Sequence, residues 1–256
     1  MIYSVKDEPG KEPRDWKVVP FVNVGTNELF QARFLNLADL LRGAMWETAA
    51  KEKLIMDAFF SMLLEGFTPA FLHLRQAIKL SQDSTTPILN LRTEYDAFYS
   101  KLWTAYEHRF ADLLQEMGYK VRFLFAENDK KFEEDSAKFA QQHGIPSDVI
   151  AQIKLERDAW QNKLATIRNK VVIHARIPAE EVPVIYKPST AQAYFDSCWQ
   201  MAEWLTANLM AKHLPESLAL YDLPEYLSDG GRKAFTVQFK PGVKFVAPQG
   251  GENTRG

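Results

Sequence analysis

Residues 87–118, PILNLRTEYDAFYSKLWTAYEHRFADLLQEMG, form a long uninterrupted helical pattern. The segment opens at Thr86-Pro87, where a capping hydroxyl precedes a proline, and it closes at Gly118, a residue suited to a helix C-terminus. A helix of about 30 residues is therefore predicted, and that length is typical of a helical bundle. Its apolar residues recur at spacings of three, four and seven: Leu91, Tyr95, Phe98, Leu102, Tyr106, Phe110, Leu113 and Leu114.

Helical periodicity also covers most of the chain on both sides of this segment. Prolines, glycines and capping side chains mark where the other helices begin and end. The predicted helices are two over residues 27–66, broken near Gly43; one opened by Thr68-Pro69; a charged one over residues 128–142, ended by Gly144; one opened by Ile145-Pro146-Ser147-Asp148; and a last long one from Ser189 or Thr190 to His213.

Short β segments are predicted near both ends of the chain. The apolar run at residues 18–24 suits an edge strand, and residues 235–245 alternate apolar and polar around Pro241-Gly242, which predicts a hairpin. The predicted fold is mainly α, an antiparallel bundle of long helices with small β additions. The predicted organisation is an N-terminal extension over 1–26, a helical domain over 27–228, a β-hairpin over 229–248 and a disordered tail over 249–256.

Composition limits the functional classes. With 256 residues, 46% of them hydrophobic, the chain can bury a large core. Its net charge of −2 gives no bulk attraction to nucleic acid, so RNA binding requires a local basic patch. The one cysteine, Cys198, excludes an intramolecular disulfide and fits a reducing compartment. No secretory signal is visible and no apolar window approaches about 20 residues, so we expect a soluble cytoplasmic protein without a membrane segment.

The helix after Pro146 has two seven-residue series, which together form one apolar seam. Arg168 lies beside this seam, and His174 lies on it if the helix continues that far, about 120° from Arg168 around the axis. The two side chains therefore converge only if the last turn bends or if a partner chain supplies a second pair. The series are Ile150, Arg157, Leu164 and Val171, and Ile153, Trp160, Ile167 and His174.

Residues 168–174, RNKVVIH, carry the parts of a metal-free phosphodiester-cleaving site. Arg168 can hold a phosphate by its fork of donors at any working pH, and His174 can transfer a proton near neutrality. Asn169 adds an amide next to the arginine. The alternative is structural: His174 as a hydrogen-bonded interior histidine and Arg168 as a solvated helix residue.

Basic residues exceed acidic residues by three around this motif. Lys154, Arg157, Lys170 and Arg176 are the candidates for RNA contact, because a row of cations can follow a phosphate backbone. The alternative is an ordinary solvent-exposed face, which the positions of Lys163 and Lys170 off the seam favour for these two residues. The scattered histidines have no metal-ligand spacing and no phosphate-binding loop occurs, so neither a metal nor a cofactor is predicted.

The Arg168-Asn169 pair followed by four residues and His174 resembles the R-x(4–6)-H motif of the HEPN superfamily (higher eukaryotes and prokaryotes nucleotide-binding). The setting is similar too, since the motif ends the penultimate long helix and another helix follows. The resemblance covers Trp46 to Leu214. Residues 1–45 and the C-terminal hairpin are not part of the minimal HEPN module.

The resemblance implies a ribonuclease of toxin–antitoxin, abortive-infection or phage-defence systems that acts as a homodimer whose two motifs meet at one site. Arg168 and His174 would be its catalytic pair, and Asn169 would orient them or the RNA. Its implied partners are RNA and an antitoxin or a nucleotidyltransferase. Many family members keep the fold without the activity. The alternative is therefore a non-catalytic interaction, regulatory or nucleotide-binding helical protein.

Overall fold

The computed structural model describes residues 29–126, 128–169, 181–222 and 235–240. These residues are mainly α-helical, as predicted. The predictions for the edge strand at 18–24 and the tail at 249–256 lie outside the described residues. The helices are α1 (Leu29–Gly43), α2 (Ala49–Phe60), α3 (Thr68–Ser81), α4 (Ile88–Trp103), α5 (Phe110–Glu116), α6 (Asp129–His143), α7 (Ser147–Glu156), α8 (Asn162–Arg168), α9 (Val182–Ile185) and α10 (Pro188–Met210), and the strands are β1 (Leu218–Asp222) and β2 (Phe235–Phe239).

Three pairs of these helices are continuous through a π-helical turn. Ser61–Phe67 joins α2 to α3, Thr104–Arg109 joins α4 to α5, and Arg157–Gln161 joins α7 to α8. A π turn inserts one extra residue and changes the face that the following helix presents. Short 3₁₀ turns at Arg122–Phe125 and Ala211–His213 complete the helical structure of the described residues.

Several predicted boundaries are confirmed. The helix predicted over residues 87–118 runs from Ile88 to Glu116, and Gly118 follows it with a φ of 96°. The charged helix α6 is capped by Asn128, whose side chain accepts from the Lys131 amide at 2.9 Å, and it ends at Gly144 with a φ of 58°. Positive φ values favour glycine because an L side chain would be strained there.

The α-helix α3 begins at Thr68 with Pro69 in its first turn, as predicted, but Thr68 does not cap it, because the preceding π turn runs directly into α3. Proline cannot donate a backbone hydrogen bond, but the π turn just before it already changes the bonding pattern, with the Thr68 amide bonded to the Leu63 carbonyl. The Thr86 cap is also wrong. Pro87 itself occupies the N-cap position of α4, and no side chain caps that end.

The chain divides into two compact units. The unit from Trp46 to Thr206 has an aromatic core centred on Tyr106, whose ring centroid lies 5.7 Å from Phe110, 5.6 Å from Phe125 and 5.2 Å from Trp160. Within it α3 packs against α4, α2 against α5, and α4 against α8. The apolar face predicted for residues 87–118 is therefore the central buried face of this unit.

The other unit comprises Met1–Met45 and Ala207–Gly256. Its helix α1 has the buried side chains Phe30, Phe34 and Leu41. Strands β1 and β2 pair antiparallel, with Leu218 opposite Phe239. The strand β1 was not predicted, because its residues were assigned to the helical domain, and the predicted hairpin stays a prediction. Residues 243–245, the predicted partner strand, lie outside the described residues.

The helix Ala49–Ser81 corrects a second expectation. By length and composition it is apolar enough to cross a membrane, whereas no such window was expected. Half of that window is buried inside the protein. Its buried side chains, which include Ile55, Phe59, Met62 and Phe67, belong to the core of the Trp46–Thr206 unit, whereas Leu54, Leu64 and Leu72 of the same helix are exposed.

Candidate functional site

The helix that holds the motif is positioned by its apolar seam. Ile153, Trp160, Leu164 and Ile167 are all buried, and α8 packs against α4, so the predicted seam is confirmed as far as Ile167. The Gln161 amide donates to the Leu124 carbonyl and fixes the π turn from the same side. This packing leaves the opposite face of α8 at the surface.

Arg168 and Asn169 lie at the end of α8 and contact each other. The Arg168 Nη1 atom donates to the Asn169 Oδ1 atom at 3.0 Å. Arg168 is half-buried and Asn169 is exposed, so solvent reaches both polar groups. His174, Lys170 and Arg176 lie outside the described residues, so their predicted roles stay predictions. The described part of the motif is thus an accessible guanidinium held by a neighbouring amide.

Lys154 lies on α7 and forms an ion pair across to α6. Its Nζ atom is 2.6 Å from the Glu133 Oε1 atom, and its side chain is 42% exposed. The hydrogen bond that Lys154 donates to Glu133, together with the charge of that carboxylate, raises the pKa of Lys154. The ammonium therefore stays charged, but a phosphate must compete with Glu133 for it.

Arg157 is an interior residue. Its side chain is 2% exposed, and its Nη1 atom lies 2.5 Å from the Asp129 Oδ1 atom. The Nη2 atom donates to the Ala126 carbonyl at 3.1 Å, and the guanidinium carbon lies 5.2 Å from the centre of the Phe132 ring. A guanidinium held in this way joins the π turn of the motif helix to the start of α6, so Arg157 is left out of the proposed RNA-contacting surface.

An open cavity of about 500 Å³ lies along the exposed side of α8. Its walls come from α8, from the segment that contains α9, and from α10. Its lining reaches Ile167, the residue before Arg168. The lining residues are Asp158, Asn162, Lys163, Thr166, Ile167, Glu181, Val184, Ile185 and Tyr194.

Two tyrosines fasten α9 next to this cavity. The Tyr99 hydroxyl donates to the Ile185 carbonyl at 2.6 Å, and the Tyr186 hydroxyl donates to the Asp96 Oδ1 atom at 2.8 Å. Burial raises the pKa of Asp96, and the hydrogen bond from Tyr186 and the charge of Arg92 partly offset that effect. Sequence reasoning missed this cluster, because its members lie about ninety residues apart and no local spacing pairs them.

Within the described ranges, no group of three or more His, Cys, Asp or Glu side chains could hold a metal ion. Cys198 is buried. The chemistry available at the end of α8 is therefore that of a guanidinium, an amide and the hydroxyls and carboxylates around the cavity.

Comparisons with models of protein families, with curated proteins and with solved structures find no match to this chain. The HEPN resemblance therefore rests on the residues of the motif and on their helical setting.

Proposed function

We propose that this chain is a metal-independent endoribonuclease of the HEPN type. The observation that carries the proposal is the Arg168–Asn169 contact at the solvent-accessible end of a long helix, beside an open cavity. A guanidinium that solvent reaches can bind a phosphate, whereas a buried and saturated one cannot. The third member of the motif, His174, follows Asn169 after four residues.

In the proposed reaction the 2′-hydroxyl of one nucleotide attacks the adjacent phosphorus. The new bond joins O2′ to phosphorus, and the bond from phosphorus to O5′ of the next nucleotide breaks. His174 transfers a proton, and Arg168 stabilises the charge on the phosphoryl oxygens. Asn169 holds the Arg168 guanidinium in place through its Oδ1 atom. The products are a 2′,3′-cyclic phosphate and a free 5′-hydroxyl, and only RNA supplies the nucleophile.

The proposal includes an antiparallel helical bundle of HEPN type that works as a homodimer. The long continuous helices α2–α3, α4–α5 and α7–α8 support this architecture. On an ideal helix Arg168 and a residue six positions later are about 120° apart, so we expect a second chain to complete the site. Activity of this kind suits a toxin or phage-defence protein held in check by an antitoxin or a nucleotidyltransferase.

The first test compares wild-type protein with His174→Ala on a mixed single-stranded RNA in EDTA. We expect wild type to cleave the RNA and leave 2′,3′-cyclic phosphate ends. His174→Ala should lose at least about 100-fold in rate, which is the usual range for removal of a general acid–base group. Gel analysis of end-labelled RNA measures both the rate and the product ends.

His108→Ala is the matched control, because His108 is exposed, lies on another helix and is absent from the motif. It should cleave at the wild-type rate. All variants are compared only after their melting temperatures agree. Equal cleavage by wild type and His174→Ala would contradict the proposed mechanism.

A second candidate function is a non-catalytic interaction, regulatory or nucleotide-binding protein. The observation in its favour is that two of the four predicted RNA-contacting cations are in ion pairs within the chain, Lys154 with Glu133 and Arg157 with Asp129, which leaves fewer cations for an RNA backbone. Binding of a nucleotide by purified wild-type protein, without cleavage of RNA, would favour this second function.

A further inference from the structure

One exposed face of α8 carries a row of small polar side chains that leads to the motif. Asn162, Thr166 and Asn169 follow one another at spacings of four and three residues, and all three are exposed. The Thr166 hydroxyl donates to the Asn162 backbone carbonyl at 2.9 Å. Because this bond uses the backbone of Asn162, its side-chain amide stays available at the cavity wall.

Carboxylate oxygens line this cavity and can accept hydrogen bonds from a neutral ligand group. Two carboxylates, Asp158 and Glu181, and one ammonium, Lys163, belong to the lining. Asp158 also accepts from the Arg157 Nη1 atom at 3.4 Å, which uses one of the several lone pairs of its carboxylate. A carboxylate does accept a hydrogen bond from the exocyclic amino group of a nucleobase.

The remaining walls suit the face of an aromatic ring. Ile167, Val184 and Ile185 provide apolar surface, and Tyr194 provides an aromatic ring. Burial is the main cause that raises the pKa of Tyr194, so its phenol stays neutral over the physiological range. The volume of about 500 Å³ lies within the range of small-molecule sites. Aromatic and apolar walls with a few polar groups at the rim are the features that recognise an unstacked RNA base.

We propose that this cavity is a subsite for one nucleobase of the RNA, next to the cleaved phosphate, and that it selects a base with an exocyclic amino group. Asp158 accepts from that amino group, the Asn162 amide bonds the rest of the base edge, and the ring rests against Val184 and Tyr194. The proposal rests on the proposed ribonuclease function, because Arg168 supplies the neighbouring phosphate contact.

Cytosine and uracil give the sharpest comparison. They have the same ring and nearly the same size, but cytosine presents an amino group where uracil presents a carbonyl oxygen. A carboxylate attracts the first group and repels the second. The subsite therefore favours cytidine over uridine, while a simple stacking platform would accept both.

The test measures binding of 2′-O-methyl hexacytidine and hexauridine to the full-length protein by fluorescence anisotropy. The methyl group removes the nucleophile, so binding is measured without cleavage. We expect hexacytidine to bind about tenfold more tightly, as one base contact of this kind allows. Asp158→Asn and Asn162→Ala should each weaken hexacytidine binding about fivefold and leave hexauridine binding unchanged. Asp135→Asn is the matched control, because Asp135 lies on α6, outside the cavity lining, and its side chain is 40% exposed. This variant should change neither affinity.

Equal binding of the two oligonucleotides, or a preference that survives both cavity variants, would overturn the subsite. Cytidine monophosphate serves as a competitor, and displacement of hexacytidine at equal concentrations would show a site for free nucleotides instead of RNA.

Cleavage of unmodified RNA in EDTA is measured on the same protein samples. If the protein cleaves RNA but shows no preference for cytidine, only the proposed subsite is rejected. If it prefers cytidine in a way that depends on the cavity but does not cleave RNA, the ribonuclease function is rejected and the nucleobase subsite is retained.

Discussion

Tyr95 is a buried residue of α4 whose hydroxyl has no hydrogen-bond partner among the described residues. Its ring contacts Tyr186 at 5.6 Å between centroids. Burying a hydroxyl without a hydrogen-bond partner lowers the free energy of unfolding, and burying a charged phenolate would lower it more. This burial raises the pKa of Tyr95 to about 12. The ring contributes packing, while the hydroxyl works against folding.

Tyr95→Phe is therefore expected to raise the free energy of unfolding by about 1 kcal/mol at neutral pH. The raised pKa leaves stability unchanged below pH 10 and lowers it as the pH rises towards 12, because the phenol ionises in the unfolded state before it does in the folded state. The variant should consequently lose less stability than wild type over that interval. Urea denaturation at pH 7 and at alkaline pH measures both effects.

Tyr99→Phe is the control, because the Tyr99 hydroxyl donates to the Ile185 carbonyl. That variant should lose stability at neutral pH. A Tyr95→Phe protein that is clearly less stable than wild type would show that the Tyr95 hydroxyl has a partner.

Asp129 balances the charge of the buried Arg157 guanidinium. Asp129→Asn leaves that cation without its nearest carboxylate, and we expect a loss of about 2 kcal/mol in the free energy of unfolding. Asp135→Asn removes an exposed pair with Lys138 and should cost less than about 0.5 kcal/mol. Denaturant titration of both variants gives the comparison. Equal losses would mean that the Arg157 pair contributes no more than a surface pair.

At the scale of the elements, two π turns meet at Gly66. An added Cβ atom there would lie 2.8 Å from the Ala105 Cβ atom and 3.0 Å from the Ala105 Cα atom. The turns Ser61–Phe67 and Thr104–Arg109 pack against each other at this point. The close approach requires a residue without a side chain, and Gly66 supplies it inside a helix that glycine would otherwise weaken.

Gly66→Ala should lower the free energy of unfolding by roughly 2 kcal/mol, because the Ala105 backbone has to shift to admit the methyl group. Gly43→Ala is the matched control, since nothing lies within 4 Å of a Cβ atom there. It should be neutral or slightly stabilising. Thermal denaturation followed by circular dichroism separates the two outcomes, and an equally stable Gly66→Ala protein would contradict the tight crossing.

At the scale of the whole molecule, the oligomeric state of the protein tests the proposed composite site. We expect a homodimer at micromolar concentration, because one chain's Arg168 and His174 do not converge on a straight helix. Sedimentation velocity measures the mass over a range of concentrations, and the cleavage rate is followed on the same dilutions. A monomer that still cleaves RNA at full rate would contradict the composite site.

The sequence alone determined the helical class and most helix boundaries that depend on local chemistry. Asn128, Gly144, Gly118 and the break after Gly43 act through backbone groups a few residues away, so their signals are visible in a short window. The Arg168-Asn169 pair was found for the same reason. Its contact joins neighbouring residues.

Only the tertiary structure decided the features that depend on distant residues. Pro69 lies inside a helix because a π turn precedes it, and Arg157 is buried because Asp129 and Ala126 hold it from another part of the chain. The pairing of β1 with β2 and the cavity beside α8 likewise join segments separated in sequence. Local propensity and periodicity carry no information about such partners, because packing free energy is set by whichever surfaces meet in the folded chain.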